Sequence, residues 1–164
     1  MRERLLLAID QFESGQVAVD FGIGLALRFE ADVKVFHVRE LPKITRVPPL
    51  ETTADAKVLV DEAVLRLRAA GVGADGRSRS ARIEDVGVRI VEEASLWQCD
   101  AIVLGSVRRR GIDRISACGV RESVLRRSAL PVMVAPAVLR CDTRWWPAEG
   151  ETKAVGRHRG PSPS

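Results

Sequence analysis

The hydrophobic and polar positions of the chain alternate in blocks that predict a regular series of strands and helices. Short apolar runs, typical of parallel strands buried on both faces, occur at residues 5–9, 33–38, 101–105 and 131–136. Apolar residues at helical spacing predict helices at 14–30, with Ser14 as its cap, at 54–70, at 85–98 and from 119 or 120 to 128. Residues 75–81 are polar, and we expect them to form a fifth strand at a sheet edge. This alternation predicts an α/β fold: an open, doubly wound, five-stranded parallel sheet with helices on both faces, in a Rossmann-like arrangement.

The periodic pattern stops near residue 137, which divides the chain in two. Its 164 residues are 46% hydrophobic and 29% charged, which suits one globular domain over residues 1–137. Residues 138–164 lack periodicity and are expected to form a disordered or loosely docked tail. No apolar run reaches the length of about 18 residues that a membrane span needs, and the first apolar segment is too short for a signal peptide. We therefore expect a soluble, cytoplasmic protein with no membrane contact.

Positive charge is concentrated after the third apolar run. Between residues 105 and 127 the sequence contains seven arginines and two acidic residues, Asp113 and Glu122, which gives a local net charge of +5. The seven are Arg108, Arg109, Arg110, Arg114, Arg121, Arg126 and Arg127. Such a field favours an anionic partner, although a solvated arginine-rich surface is the alternative. No aromatic residues interleave these arginines, so a nucleic acid is not the expected partner.

Catalytic motifs are missing from the sequence. It contains no phosphate-binding GxxxxGK[ST] motif, no nucleophile elbow, no HExxH and no paired carboxylates at a recognisable spacing, so we do not expect an enzyme and name no catalytic or metal-ligating residue. His37 lies inside an apolar strand and is interpreted as a core histidine. The three cysteines, Cys99, Cys118 and Cys141, lack metal-ligand spacing and fit a reducing compartment. For Cys118, at the predicted start of the last helix, redox sensing is the alternative to simple packing.

Four blocks, in this order, carry a resemblance to a known family. They are LLLAID at Leu5–Asp10, VKVFHV at Val33–Val38, CDAIVLGS at Cys99–Ser106 and VRESVLRRSALPVMVAP at Val120–Pro136. From residue 4 to residue 135 the chain resembles the universal stress protein family, the UspA-like domains of the adenine-nucleotide α-hydrolase-like superfamily. The resemblance implies a five-stranded parallel sheet, usually dimeric, in which some members bind ATP and others do not.

In the ATP-binding members, a loop of glycine, two residues, glycine, nine residues, glycine and a hydroxyl residue wraps the phosphates. Gly105 matches the first glycine and Ser106 follows it as a candidate phosphate donor. Arg108 stands at the second glycine, and Cys118 and Gly119 stand at the last two positions. Arg108 either obstructs the close approach of backbone to phosphate or offers its guanidinium instead.

The remaining candidate binding residues also follow from the resemblance. A one-residue slip of the pattern would give Gly119 the glycine role and Val120 the hydroxyl position. Gly111 matches a small residue within the loop. Asp10 matches the acidic residue that lies near adenine and ribose, and Val38 matches the strand position whose backbone meets the adenine. The alternatives are that Asp10 caps the first helix and that Val38 is ordinary core.

Two functions therefore remain open at this point. The first is a non-catalytic stress-response or signalling module with a degraded nucleotide-binding loop. The second is an ATP-binding domain, with Mg, that uses the arginine-rich loop for phosphates and hydrolyses ATP slowly. In either case we expect a homodimer through the apolar last strand, which contains Val132, Met133 and Val134. Trp145 and Trp146 in the tail are candidates for contact with a protein partner.

Overall fold

A single parallel sheet organises the domain. The computed structural model describes residues 2–42, 48–105 and 113–136, and the sites predicted at Trp145 and Trp146 lie outside these ranges. The strands are β1 (Arg4–Ile9), β2 (Asp32–Leu41), β3 (Ala74–Arg82), β4 (Ala101–Leu104) and β5 (Val132–Val134). They lie in the order β3-β2-β1-β4-β5, and each pair of neighbours is parallel. The α/β fold class predicted from the sequence is confirmed.

Four helices cover the two faces of this sheet. They are α1 (Glu13–Phe29), α2 (Thr53–Ala69), α3 (Val86–Leu96) and α4 (Asp113–Arg127), and a short 3-10 turn, Ile83–Asp85, precedes α3. Along β1, Leu5 and Leu7 pack with the apolar residues of α1 and α2, whereas Leu6 and Ala8 pack with those of α3 and α4. Strands β1 and β4 are therefore apolar on both faces, over residues 5–9 and 101–104, because each face of the sheet has its own helical layer. No helix within the three described ranges is long and apolar enough to cross a membrane.

The polar strand β3 is an edge strand, as its sequence predicts. Its neighbour is β2, with which it pairs from Val33↔Ala74 to Leu41↔Arg82. Arg77 and Arg79 reach the buried carboxylate of Glu93 on α3, at 3.4 and 3.7 Å. The arginines of this strand thus balance a buried charge as well as facing solvent. The same pairing carries β2 to Leu41, three residues beyond the predicted end at Val38.

The starts of two helices differ from the prediction. Helix α1 begins at Glu13, so its N-cap position is Phe12, two residues before the predicted cap at Ser14. Helix α4 begins at Asp113, six residues before the predicted start at Gly119. A glycine inside a helix costs about 1 kcal/mol, too little to set the boundary there. Cys118 is therefore the sixth residue of α4, and its predicted position at the start of that helix is wrong.

Candidate functional site

The strand order reverses direction beside β1, and a cavity lies there. The chain passes from β1 to β2 on one side, whereas β4 flanks β1 on the other side. In open α/β sheets, helices diverge at such a point and leave a crevice at the carboxyl ends of the strands. The cavity is small, about 90 Å³ in volume, and it opens to solvent. We call it the switch-point cavity; its lining residues are Ala8, Ile9, Asp10, Val38, Glu40, Val86, Ile90, Leu104, Gly105, Val120 and Arg121.

Four of the residues predicted from the sequence meet in this cavity. Asp10 follows β1, Val38 lies in β2, Gly105 follows β4 and Val120 lies on α4. They come from four separate parts of the chain, and the sheet topology brings them together. Gly119, on α4, is exposed and does not line the cavity. The candidates at positions 106, 108 and 111 lie outside the described residues.

Asp10 is held by the first turn of α1. Its Oδ1 accepts a hydrogen bond from the backbone N–H of Phe12 at 2.9 Å. The turn is tight, because a Cβ added to Gly15 would lie 2.2 Å from the carbonyl oxygen of Asp10. Glycine is therefore required where α1 approaches the end of β1. The sequence analysis did not identify Gly15. Its position in the first turn of a predicted helix could have indicated a close backbone contact.

His37 and Glu51 form a buried pair below the cavity. His37 is 4% exposed and Glu51 is 7% exposed, and His37 Nε2 lies 2.7 Å from Glu51 Oε2. His37 Nδ1 donates to the carbonyl oxygen of Ile9 at 2.9 Å, since a carbonyl oxygen can only accept. A second proton must therefore lie between His37 Nε2 and the carboxylate. The prediction of a core histidine is confirmed, and the pair fixes the end of β1 one residue before Asp10.

Arg121 is the cavity residue that sequence reasoning did not distinguish. Its side chain is partly buried on α4, and its Nε atom is buried without a hydrogen-bond partner. On the same helix, Arg126 lies 3.7 Å from Glu122, and Arg127 donates to Ser123 at 2.9 Å. The arginine cluster seen in the sequence thus contains members with different surroundings. In the sequence, its position next to the candidate residue Val120 could have indicated Arg121 as a site residue. The direction of its side chain, however, depends on where α4 begins.

Comparison with known sequences identifies one family. Residues 1–136 match the sequence model of the Universal stress protein family. No curated protein matches the chain.

Solved structures with the same fold include several proteins described as universal stress proteins. One from Burkholderia pseudomallei is 23% identical with a TM-score of 0.66, covering 82% of this chain and 96% of that one. One from Archaeoglobus fulgidus, in complex with dAMP, is 22% identical with a TM-score of 0.60, covering 83% and 98%. One from Arabidopsis thaliana, with AMP bound, is 18% identical with a TM-score of 0.58, covering 80% and 90%. At these identities the likeness shows the fold alone.

Proposed function

The chain belongs to the universal stress protein family, and on that premise we propose that it is a non-catalytic stress-response module whose switch-point cavity binds an adenine nucleotide. The observation that supports this proposal most directly is the convergence of Asp10, Val38, Gly105 and Val120 on one cavity. The proteins of the same fold that are described as complexes with dAMP and AMP give the ligand class. Binding without turnover is proposed because the sequence carries no catalytic motif.

The lining of the cavity suits a nucleotide in polarity. Apolar side chains from β4 and α3, among them Leu104 and Ile90, exclude water, while the carboxylates of Asp10 and Glu40 can accept hydrogen bonds from sugar hydroxyls. Small-molecule sites typically measure about 300–1,000 Å³. At about 90 Å³ the cavity would take one group of a nucleotide, and the rest would lie across its open mouth.

A second candidate function, a module that works through protein contacts without a stable nucleotide, is favoured by the loop sequence. Arg108, Cys118 and Gly119 replace the two glycines and the hydroxyl residue of the nucleotide-binding pattern. The small volume of the cavity supports the same alternative. Under this candidate, the surface that contacts a partner carries the function and the cavity is vestigial.

Calorimetric titration with AMP and with Mg-ATP separates the two candidates. We expect micromolar binding by the wild-type protein and a loss of about tenfold or more in Asp10→Asn, because removal of a charged hydrogen-bond acceptor costs about 1.5–3 kcal/mol. Asparagine keeps an oxygen that can accept from Phe12, so the turn at Asp10 is preserved. Asp61→Asn, an exposed change on α2, is the matched control and should bind as the wild type does. No heat with either nucleotide would reject nucleotide binding and favour the second candidate.

Two further predictions concern Mg-ATP: whether magnesium binds with the nucleotide, and whether the protein hydrolyses ATP slowly. Within the described residues, no group of three or more His, Cys, Asp or Glu side chains could hold a metal ion. Magnesium therefore stays a prediction that would depend on the nucleotide phosphates themselves. We expect no release of phosphate from Mg-ATP above the rate of a buffer control. Steady release that Asp10→Asn abolishes would contradict the non-catalytic part of the proposal.

We also propose a homodimer through β5. This strand pairs with β4, and no strand among the described residues lies on its other side. Val132 and Met133 are partly buried and Val134 is 36% exposed, so an apolar edge is available for a second copy. Light scattering at micromolar concentration should give twice the monomer mass, and Val134→Lys should shift the equilibrium to monomer. A wild-type monomer at that concentration would reject the dimer.

A further inference from the structure

The side chain of Arg121 lines the switch-point cavity and contains a buried donor. Arg121 lines the switch-point cavity, and its Nε is buried without a hydrogen-bond partner. A guanidinium keeps its proton at all ordinary pH values and has donors only. A buried donor without an acceptor costs free energy, and most buried polar atoms in proteins are paired. A guanidinium of this kind beside an open cavity is therefore suited to an acceptor that arrives with a ligand.

We propose that Arg121 is the anion-binding residue of the switch-point cavity and that the ligand presents a phosphate monoester to its guanidinium. This inference rests on the proposed function and adds which group of the nucleotide is recognised and by which side chain. A guanidinium offers a planar set of donors that matches the oxygens of a phosphate, and such charge-assisted bonds are stronger than neutral ones. Gly119, two residues earlier on α4, has no side chain to contribute a donor.

The surroundings of Arg121 distinguish it from the other arginines of α4. Arg126 and Arg127 are exposed and each interacts with a side chain one helical turn earlier, Glu122 and Ser123 respectively. Neither lines the cavity. Among the arginines of α4, Arg121 therefore lines the cavity, whereas Arg126 and Arg127 interact with other side chains at the surface.

The other charged residues of the cavity give the ligand a direction. Asp10 and Glu40 line it from the side of β1 and β2, whereas Arg121 lines it from α4. Carboxylates repel a phosphate and accept hydrogen bonds from hydroxyl or amino groups. A ligand with a phosphate at one end and such donors at the other matches this distribution, and a nucleoside monophosphate has both. An unphosphorylated nucleoside would leave Arg121 without its acceptor.

The test compares AMP with adenosine, which differ by the phosphate. We expect the wild-type protein to bind AMP about 10- to 100-fold more tightly than adenosine, the range given by one charge-assisted hydrogen bond. Arg121→Gln should lose most of this ratio mainly by weakening AMP. Arg126→Gln removes the same charge from the same helix and should keep the ratio. The readout is the ratio of the two dissociation constants in calorimetry.

A second variant separates ligand binding from a structural role. In Arg121→Met an apolar chain replaces a buried donor that has no protein partner, so the melting temperature without ligand should stay the same or rise. The stabilisation that millimolar AMP gives to the wild type should be lost in this variant. A lower melting temperature without ligand in both Arg121 variants would mean that the guanidinium supports the fold, and would overturn the inference.

The outcomes distinguish this inference from the proposed function. If AMP binds and Arg121→Gln keeps the AMP-to-adenosine ratio, the cavity remains a nucleotide site and the role of Arg121 is rejected. If neither AMP nor adenosine binds the wild-type protein, nucleotide binding fails and the inference fails with it.

Discussion

Two glycine-to-alanine changes in α1 should have opposite effects on stability. A Cβ at Gly15 would lie 2.2 Å from the carbonyl oxygen of Asp10, whereas separations below 3.0 Å essentially do not occur for this atom. Backbone lies on both sides of the contact, so the first turn of α1 or the end of β1 has to move. A Cβ at Gly24, on the exposed side of the same helix, would meet nothing within 4 Å.

The magnitudes follow from these distances. Forcing a methyl group into a closely packed position costs about 1–3 kcal/mol, and the higher helix propensity of alanine returns about 0.5–1 kcal/mol. We therefore expect Gly15→Ala to lower the free energy of unfolding by about 1–2 kcal/mol. Gly24→Ala should raise it by about 0.5–1 kcal/mol, because only the propensity term applies. The two variants should differ in melting temperature by about 3–12 °C, at 2–4 °C for each kcal/mol in a chain of this size.

Urea unfolding followed by circular dichroism measures both variants under the same conditions. If Gly15→Ala proves as stable as Gly24→Ala, the close approach of α1 to β1 is wrong and Asp10 is positioned differently. Gly15→Ala should also weaken AMP binding, because the backbone shift displaces Asp10 from the cavity. Gly24→Ala should bind AMP as the wild type does.

Three further predictions concern side chains outside the cavity. Glu51→Ala leaves the buried Nε2 of His37 without a partner and should lower the free energy of unfolding by about 1–3 kcal/mol. The control is Glu62→Ala, at an exposed position, and an equal effect of the two changes would contradict the buried pair. Hydrogen bonds from Thr52, which caps α2, lower the pKa of Asp55, so its contribution to stability is present at neutral pH and is lost as pH falls through that lowered pKa. Acid unfolding of Asp55→Asn should therefore show less loss of stability between neutral and low pH than the wild type, and an identical pH dependence would reject the assignment. Burial raises the pKa of the Cys99 thiol to about 12, so mass-spectrometric peptide mapping should find it unmodified by iodoacetamide at pH 8 until urea unfolds the chain; rapid labelling of the folded protein would contradict this burial.

The fold could be predicted from the sequence because its signals are local. The apolar runs of β1 and β4 and the helical spacing between them depend on residues close in the chain, and strands buried on both faces carry a continuous apolar signal. The polar edge strand β3 was also predicted. The ion pairs of Arg77 and Arg79 with Glu93 were not predicted. They join β3 to α3, and they depend on how the strand and the helix pack against each other.

The site could be predicted in part, for the same reason. Asp10 and Gly105 follow strands whose ends are clear in the sequence, so the topology brings them to one edge of the sheet. The sequence did not distinguish Arg121 from the six other arginines of this region. The direction of its side chain depends on α4, which begins six residues earlier than expected. Glu51 comes from the segment before α2, and its contact with His37 has no counterpart in the local pattern.

A crystal structure of the protein grown with AMP would test the central claim most directly. We predict electron density for the nucleotide in the switch-point cavity, with a phosphate oxygen within about 3 Å of a guanidinium nitrogen of Arg121 and the sugar facing Asp10. Density for AMP elsewhere on the protein, or an AMP in the cavity whose phosphate lies away from Arg121, would contradict the account.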